Sequence, residues 1–362
     1  MADGTARAAR DGTGTGAGTG TGAGMGAGIG AGVPLAEVWR GPFLECVHRG
    51  HAVVCNPAGE VVESWGEPAL TVLPRSACKM IQALPLLESG AGEGLSPARL
   101  ALACASHQGG AIHTEAVAAW LDELGLGEAD LRCGAHEPKD EAARDGLIRA
   151  GRAPSQIHNN CSGKHAGFLH LAGRLGGGPE YAEPDHPVQR AARAAFEEVT
   201  GAPSPFWGID GCSAPNFATP LGALAGAMGR FAAAAGGAGT GSRERAMARL
   251  TAAMMEHPDL VAGDGRACTA LMRAMRGRAA VKTGAEGVFV GILPAGDGAP
   301  ARGIAVKALD GATRAAEAAI AAILVRAGRL DPDAPVARLL MEGPIRNWRG
   351  TEVGAMRVIQ PR

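Results

Sequence analysis

Apolar residues alternate with polar ones, or cluster in short β-branched runs, near the two ends of this chain; between them they recur at every third or fourth position. Residues 35–64 therefore read as strands, in which Cys46 to Val54 and Val61-Val62 flank Asn56-Pro57-Ala58-Gly59, a turn signal. Helical spacing follows and predicts helices over 76–87, 96–105, 113–124, 141–150, 162–175, 187–199, 220–234, 242–257 and 265–275. The second of these opens with Ser96-Pro97, an N-cap followed by a first-turn proline. Strand character returns at 287–293 and 303–309, an alanine-rich helix covers 312–327, and 347–359 supplies a last edge strand. The fold class predicted is α+β. One antiparallel sheet is built from N- and C-terminal strands, flanked by helices, and carries an inserted helical subdomain. Residues 34–362 form a single catalytic unit on this reading, with 34–75 and 280–362 as its sheet part and 76–279 as its mainly helical part. The arrangement brings positions 76 and 282 to the seam between the parts, where sites commonly lie.

Composition narrows the classes of function. A net charge of −1 over 362 residues leaves no electrostatic footprint for nucleic acid or an anionic membrane. Aromatic residues make up 4% of the chain, too few for a base-stacking surface. No apolar run approaches the roughly 20 residues of a membrane span. Basic residues occur between Met1 and Gly12 without an apolar stretch after them, so the expected compartment is cytoplasmic. Residues 11–32 are almost entirely Gly, Ala and Thr. They match a phosphate-binding glycine pattern, but no strand precedes them and Val33-Pro34 follows, so residues 1–33 read as a disordered tail. Eight cysteines stand at 46, 55, 78, 104, 133, 161, 212 and 268. Buried reduced thiols are the first reading of such a set, metal ligation the second and disulfides the third.

The candidate chemistry centres on a serine without a histidine. In Ser76-Ala77-Cys78-Lys79 the serine and lysine share one helical face, and Lys282-Thr283-Gly284 supplies a second lysine. A serine hydroxyl needs a base, and lysine serves only if burial or another cation lowers its pKa from about 10.4. This order of triplets occurs in penicillin-binding proteins and class A β-lactamases. The bland alternative is an N-cap serine beside a solvated lysine. Ser106, in Ser106-His107-Gln108-Gly109-Gly110 after a helix end, can relay a proton between the lysines or merely begin a turn. Cys161 and Cys212 can ligate zinc with Lys164 as a third donor, or can be two small buried residues. Arg75 suits a substrate carboxylate and Asp210 an ammonium, and Glu286 is a further charge beside these motifs.

Pro74-Arg75-Ser76-Ala77-Cys78-Lys79, Ala105-Ser106-His107, Asn160-Cys161-Ser162-Gly163-Lys164-His165-Ala166-Gly167, Gly208-Ile209-Asp210-Gly211-Cys212 and Val281-Lys282-Thr283-Gly284 together resemble the L-asparaginase II family of Rhizobium etli type. The resemblance runs in order from about 34 to 362. It implies a serine β-lactamase/glutaminase-like fold, hydrolysis of L-asparagine to aspartate and ammonia, and two Ser–Lys pairs, Ser76 with Lys79 and Ser106 with Lys282. It further implies one zinc ion per chain on Cys161, Lys164, Cys212 and water, substrate contacts from Arg75, Asp210 and His165, and a homodimer. The chain lacks the Ser-Asp-Asn triplet of the penicillin-interacting enzymes, which disfavours β-lactam chemistry, and Met80-Ile81 after Lys79 is atypical. Glutaminase or other small-amide hydrolysis shares the same residues, and a non-catalytic zinc-binding protein of this fold is the alternative of a different class.

Overall fold

The computed structural model describes residues 30–359, so the tail reading over 1–29 lies outside the described residues. Strands β1 (Val33–Arg40), β2 (Phe43–Cys55) and β3 (Val61–Trp65) come first. The short strands β4 (Thr71–Val72), β5 (Trp207–Ile209), β6 (Pro215–Phe217) and β7 (Thr219–Pro220) follow. Then come β8 (Ala280–Thr283), β9 (Val288–Leu293), β10 (Arg302–Ala308), β11 (Pro344–Arg346) and β12 (Glu352–Val358). The main sheet has eight strands in the order β11-β12-β1-β2-β10-β9-β8, with β3 on β2, and every pairing is antiparallel. It is thus assembled from both ends of the chain, as the alternation of apolar positions required. Strand β12 is not the sheet edge expected from the sequence, because β11 pairs outside it.

Apart from the short strands β4 to β7, helices make up the regular structure between β3 and β8. They are α1 (Lys79–Gln82), α2 (Leu84–Glu88), α3 (Pro97–Ala103), α4 (Ala111–Glu123), α5 (Glu141–Arg149), α6 (Ser162–Leu175), α7 (Pro187–Thr200), α8 (Leu221–Ala235), α9 (Ser242–Glu256), α10 (Pro258–Ala262) and α11 (Ala267–Met275). Helices α12 (Thr313–Arg326) and α13 (Pro335–Glu342) follow the central strands. Helix α8 lies against β2, β9 and β10, and α12 against β1, β9, β10 and β12. The approach of α8 is close enough that a Cβ on Gly303 of β10 would collide with Ala225 O and Gly229 N, so only glycine fits there. Among the described residues no helix is long and apolar enough to cross a membrane.

One predicted helix is broken. Residues 76–87 divide into a 3₁₀ turn (Arg75–Cys78), α1 and α2. Pro85 lacks an N–H and its ring excludes the carbonyl four residues back, so a new helix starts at Leu84. That break ends the helix of Lys79 after one turn.

Candidate active site

Four segments meet at the seam: the 3₁₀ turn with α1, the residues after α3, the first turn of α6, and the end of β8. The turn begins with Arg75 at φ 53°, a left-handed conformation that costs a non-glycine residue about 1–3 kcal/mol. Side-chain bonds hold it there. Arg75 Nε and Nη2 donate to Asp210 Oδ1 at 2.9 and 2.7 Å, and the Arg75 backbone N–H donates to Asn216 Oδ1 at 3.2 Å. Burial lowers the Arg75 pKa, but the bond and charge of Asp210, helped by Glu286, outweigh it and the net shift is upward. Ser76, next along, is half-buried, and its hydroxyl makes no hydrogen bond among the described residues.

Opposite this turn lies the end of β8. A Cβ on Gly284 would collide with Pro74 O and stand 3.1 Å from Ala77, so the glycine of the Lys-Thr-Gly triplet is what lets the strand end close over the serine turn. Lys282, fully buried, donates to Ser106 Oγ and to Thr283 O, both at 2.7 Å. Burial, then the positive charge of Lys79, push its pKa down to about 7. Ser106 is itself buried, and its backbone N–H is fixed by Val261 O at 2.8 Å. The Ser106–Lys282 pair is therefore a hydroxyl beside an amine that is partly neutral near pH 7.

Lys79 is the second buried lysine, and its partners are not those its spacing predicts. Its amine donates to Ala105 O, the carbonyl just before Ser106, and to Cys161 Sγ at 3.1 Å. It makes no hydrogen bond to Ser76. The two Ser–Lys pairs thus differ: one is hydrogen-bonded, and in the other the lysine stands between the Ser106 segment and the cysteines.

The cysteines form a cluster of their own. Lys164 Nζ donates to Cys212 Sγ at 3.0 Å, and Cys161 Sγ bonds Asn160 Oδ1 at 3.1 Å. Most of the other thiols are raised by burial, Cys78, Cys104 and Cys133 to about 12 and Cys55 to about 11. Cys212 alone is driven well below the thiol range, first by a hydrogen bond from Cys161 and, against burial, by the charge of Lys164. Cys161 is raised in return, by that same bond and by burial. Burial opposes the charge on Lys164, but the sulfurs of Cys212 and Cys161 overcome it and raise its pKa. His165 accepts from or donates to Tyr181 Oη at 2.8 Å through Nδ1, while its buried Nε2 has no hydrogen-bond partner by distance, and His165 helps to lower the Cys212 pKa.

Whether these residues fit a metal follows from the donors. Among the described residues no three His, Cys, Asp or Glu side chains converge to hold an ion. The set works only if Lys164 is the third ligand. Two sulfurs, one of them with its pKa lowered, with an amine 3.0 Å from it and an orphaned imidazole nitrogen nearby, suit a borderline-soft ion such as zinc. The donor set fits.

His107 is excluded as a base. Its Nδ1 accepts from the Gly109 N–H at 3.1 Å, so Nε2–H is left to donate to Ser162 Oγ at 3.0 Å; burial holds its pKa well below the usual imidazole range. Two residues of the site carry no sequence signal that singled them out. Asn216 sits inside the stretch after Gly208 but matches no catalytic spacing, and Tyr181 is the one tyrosine of the chain, in a segment without a motif. The rarity of tyrosine was the only available clue to the second.

A family model described as L-asparaginase II matches residues 36–358. None of the curated proteins matches. Among solved structures, a crystal structure of Mglu is 15% identical with a TM-score of 0.43 over 77% of this chain and 67% of that one. Mglu in its native form is 16% identical with a TM-score of 0.44, over 79% and 66%.

Proposed function

The chain belongs to the L-asparaginase II family and is an asparaginase-type hydrolase, and on that premise we propose that it cleaves the side-chain amide of L-asparagine through a serine ester. The observation that carries the reading is Lys282, whose amine bonds Ser106 Oγ at 2.7 Å and is brought to a pKa of about 7. An amine in that state takes a proton at neutral pH. Ser106 is buried against it, whereas Ser76 is half-exposed beside Arg75 with a free hydroxyl. Ser76 is thus the nucleophile and Ser106 the relay. The lysines exchange the roles read from their spacing: Lys282 receives the proton, and Lys79 supplies the nearby positive charge.

The amino-acid substrate is a zwitterion, and the Arg75–Asp210 pair is its complement. Laid across the pair, the α-carboxylate meets the guanidinium and the α-ammonium meets the carboxylate. Ser76 Oγ attacks the amide carbon; its proton passes to Ser106 Oγ as the Ser106 proton passes to Lys282. The reverse transfer protonates the departing nitrogen, which leaves as ammonia. Water then attacks the β-aspartyl ester, with Lys282 again taking the proton. A diazoketone analogue of asparagine should add one label per chain, which digestion and mass spectrometry place on Ser76. Ammonia release should be faster from asparagine than from glutamine. Labelling elsewhere, or no ammonia from either amide, overturns the reading.

Zinc would be held by Cys161, Lys164 and Cys212, with Lys164 neutral. Bound there it would supply a fixed centre that orients the substrate end of the pocket, since two thiolates offset its charge and blunt its Lewis acidity. Chelation should raise KM for asparagine about tenfold before kcat changes, and Cys212→Ser should abolish stoichiometric zinc binding measured by elemental analysis. A fall in kcat at constant KM would contradict an orienting role.

A further inference from the structure

The hairpin β5–β6 does more than carry Asp210 and Cys212. Its strands pair Gly208 with Asn216 and Ile209 with Pro215, and its turn is closed by Asp210 N to Ala214 O at 2.9 Å and Ser213 N to Asp210 O at 2.9 Å. Directly after it, β7 pairs with β4, matching Thr71 with Pro220 and Val72 with Thr219. Strand β4 leads within three residues into the serine turn. One short hairpin is therefore strapped to the approach of Ser76, bonds the Arg75 guanidinium from Asp210, and bonds the Arg75 backbone from Asn216.

That last bond falls on the residue whose conformation is least favourable. Arg75 sits at φ 53°, and its N–H is taken up by the buried Asn216 Oδ1 at 3.2 Å. Were Arg75 to relax to negative φ, the peptide preceding Ser76 would rotate and carry the hydroxyl with it. Asp210 alone does not prevent this, because it grips the end of a long side chain, whereas Asn216 grips the backbone itself. On the other side Gly284 leaves no free space for the turn to shift toward β8. We propose that Asn216 is a positioning residue that aims Ser76 by holding the strained Arg75 backbone, with the amide oxygen as the working atom. This rests on Ser76 being the nucleophile.

The test uses the full-length enzyme. Asn216→Ala should lower kcat about 10- to 100-fold and slow labelling of Ser76 by the diazoketone in parallel, with KM within about twofold because the Arg75–Asp210 pair remains. Asn216→Asp keeps an accepting oxygen in place and should recover kcat to within about threefold of the parent, a rescue that a general packing role would not give. Melting curves on both variants report whether each is folded. Wild-type kcat in a folded Asn216→Ala, a raised KM at unchanged kcat, or a folded Asn216→Asp as slow as the alanine variant overturns the proposal. If Asn216→Ala does not fold, the aspartate variant decides alone. Ser76→Ala, assayed alongside, separates the two levels: retained turnover there refutes the nucleophile, while an inactive Ser76→Ala beside an unimpaired Asn216→Ala refutes only the positioning.

Discussion

Replacing Ser76 with alanine should reduce kcat for ammonia release by about four to six powers of ten, the scale on which nucleophile deletions act when the other members of a site cannot substitute. Ser106→Ala should be milder, about two to four powers of ten, because it removes a proton relay and leaves the attacking oxygen in place. The ranking has a structural basis. Ser76 is half-buried with an unpartnered hydroxyl beside Arg75, and Ser106 is bonded to the Lys282 amine. The measurement is single-turnover ammonia release with the analogue label mapped in each variant. A larger loss from Ser106→Ala, with the label on residue 106, would transfer the nucleophile to the hydrogen-bonded pair and leave Ser76 as an accessory hydroxyl.

Lys282→Met should abolish activity and stabilise the protein at the same time. Activity falls by about three powers of ten or more because the proton acceptor is gone, and the rise of kcat/KM with pH through about 7 disappears with it. The stability effect follows from linkage. Lys282 titrates near 7 in the folded chain and near 10.4 unfolded, so between those values the unfolded state binds the extra proton. Wild-type stability therefore climbs as pH rises from 7 toward 10, and below 7 the whole burial penalty is present. Methionine carries no such penalty. Its advantage in Tm should amount to several degrees at pH 6–7 and shrink steadily toward pH 10, offset in part by the bonds that Ser106 and Thr283 lose. A melting curve series across that range checks both sign and window; a variant less stable than wild type at pH 6 would mean that Lys282 is not buried as an uncompensated cation. Such a trade of stability for function is usual where a charged group is held in an apolar site.

How far the sequence reached depends on which physical signal each element leaves. Long helices announced themselves through periodicity and caps: Ser96 accepts from Arg99 N, and α7 opens on Pro187 as its pattern requires. The alternating termini gave the sheet and its construction from both ends. Strand β8 did not show, because its four residues are all buried and carry no alternation. Over 76–87 the spacing alone does not weigh Pro85, where the structure starts a new helix. At the seam, the fold brings Lys79, Cys161 and the Ser106–Lys282 pair together, residues that the sequence spaces far apart. Their pairing was not legible. Three-residue spacing places Lys79 on the face of Ser76, yet a four-carbon side chain goes where a carbonyl and a sulfur await it. Asn216 Oδ1 takes up the Arg75 N–H, and Tyr181 Oη meets both His165 Nδ1 and the Arg132 N–H; such bonds join residues distant in sequence and leave no local pattern.

The order of the main sheet also sets a timetable for synthesis. Ala52 of β2 is partnered by Val306 of β10, and Val38 of β1 by Met356 of β12. As the polypeptide leaves the ribosome, its first hairpin must wait, one long apolar strand open to the surroundings, while the whole helical interval is made. Only when β10 emerges can that edge be sealed. The β8 lysine loses its water at the same stage, so its surroundings cannot be complete before β8, β9 and β10 have all been made.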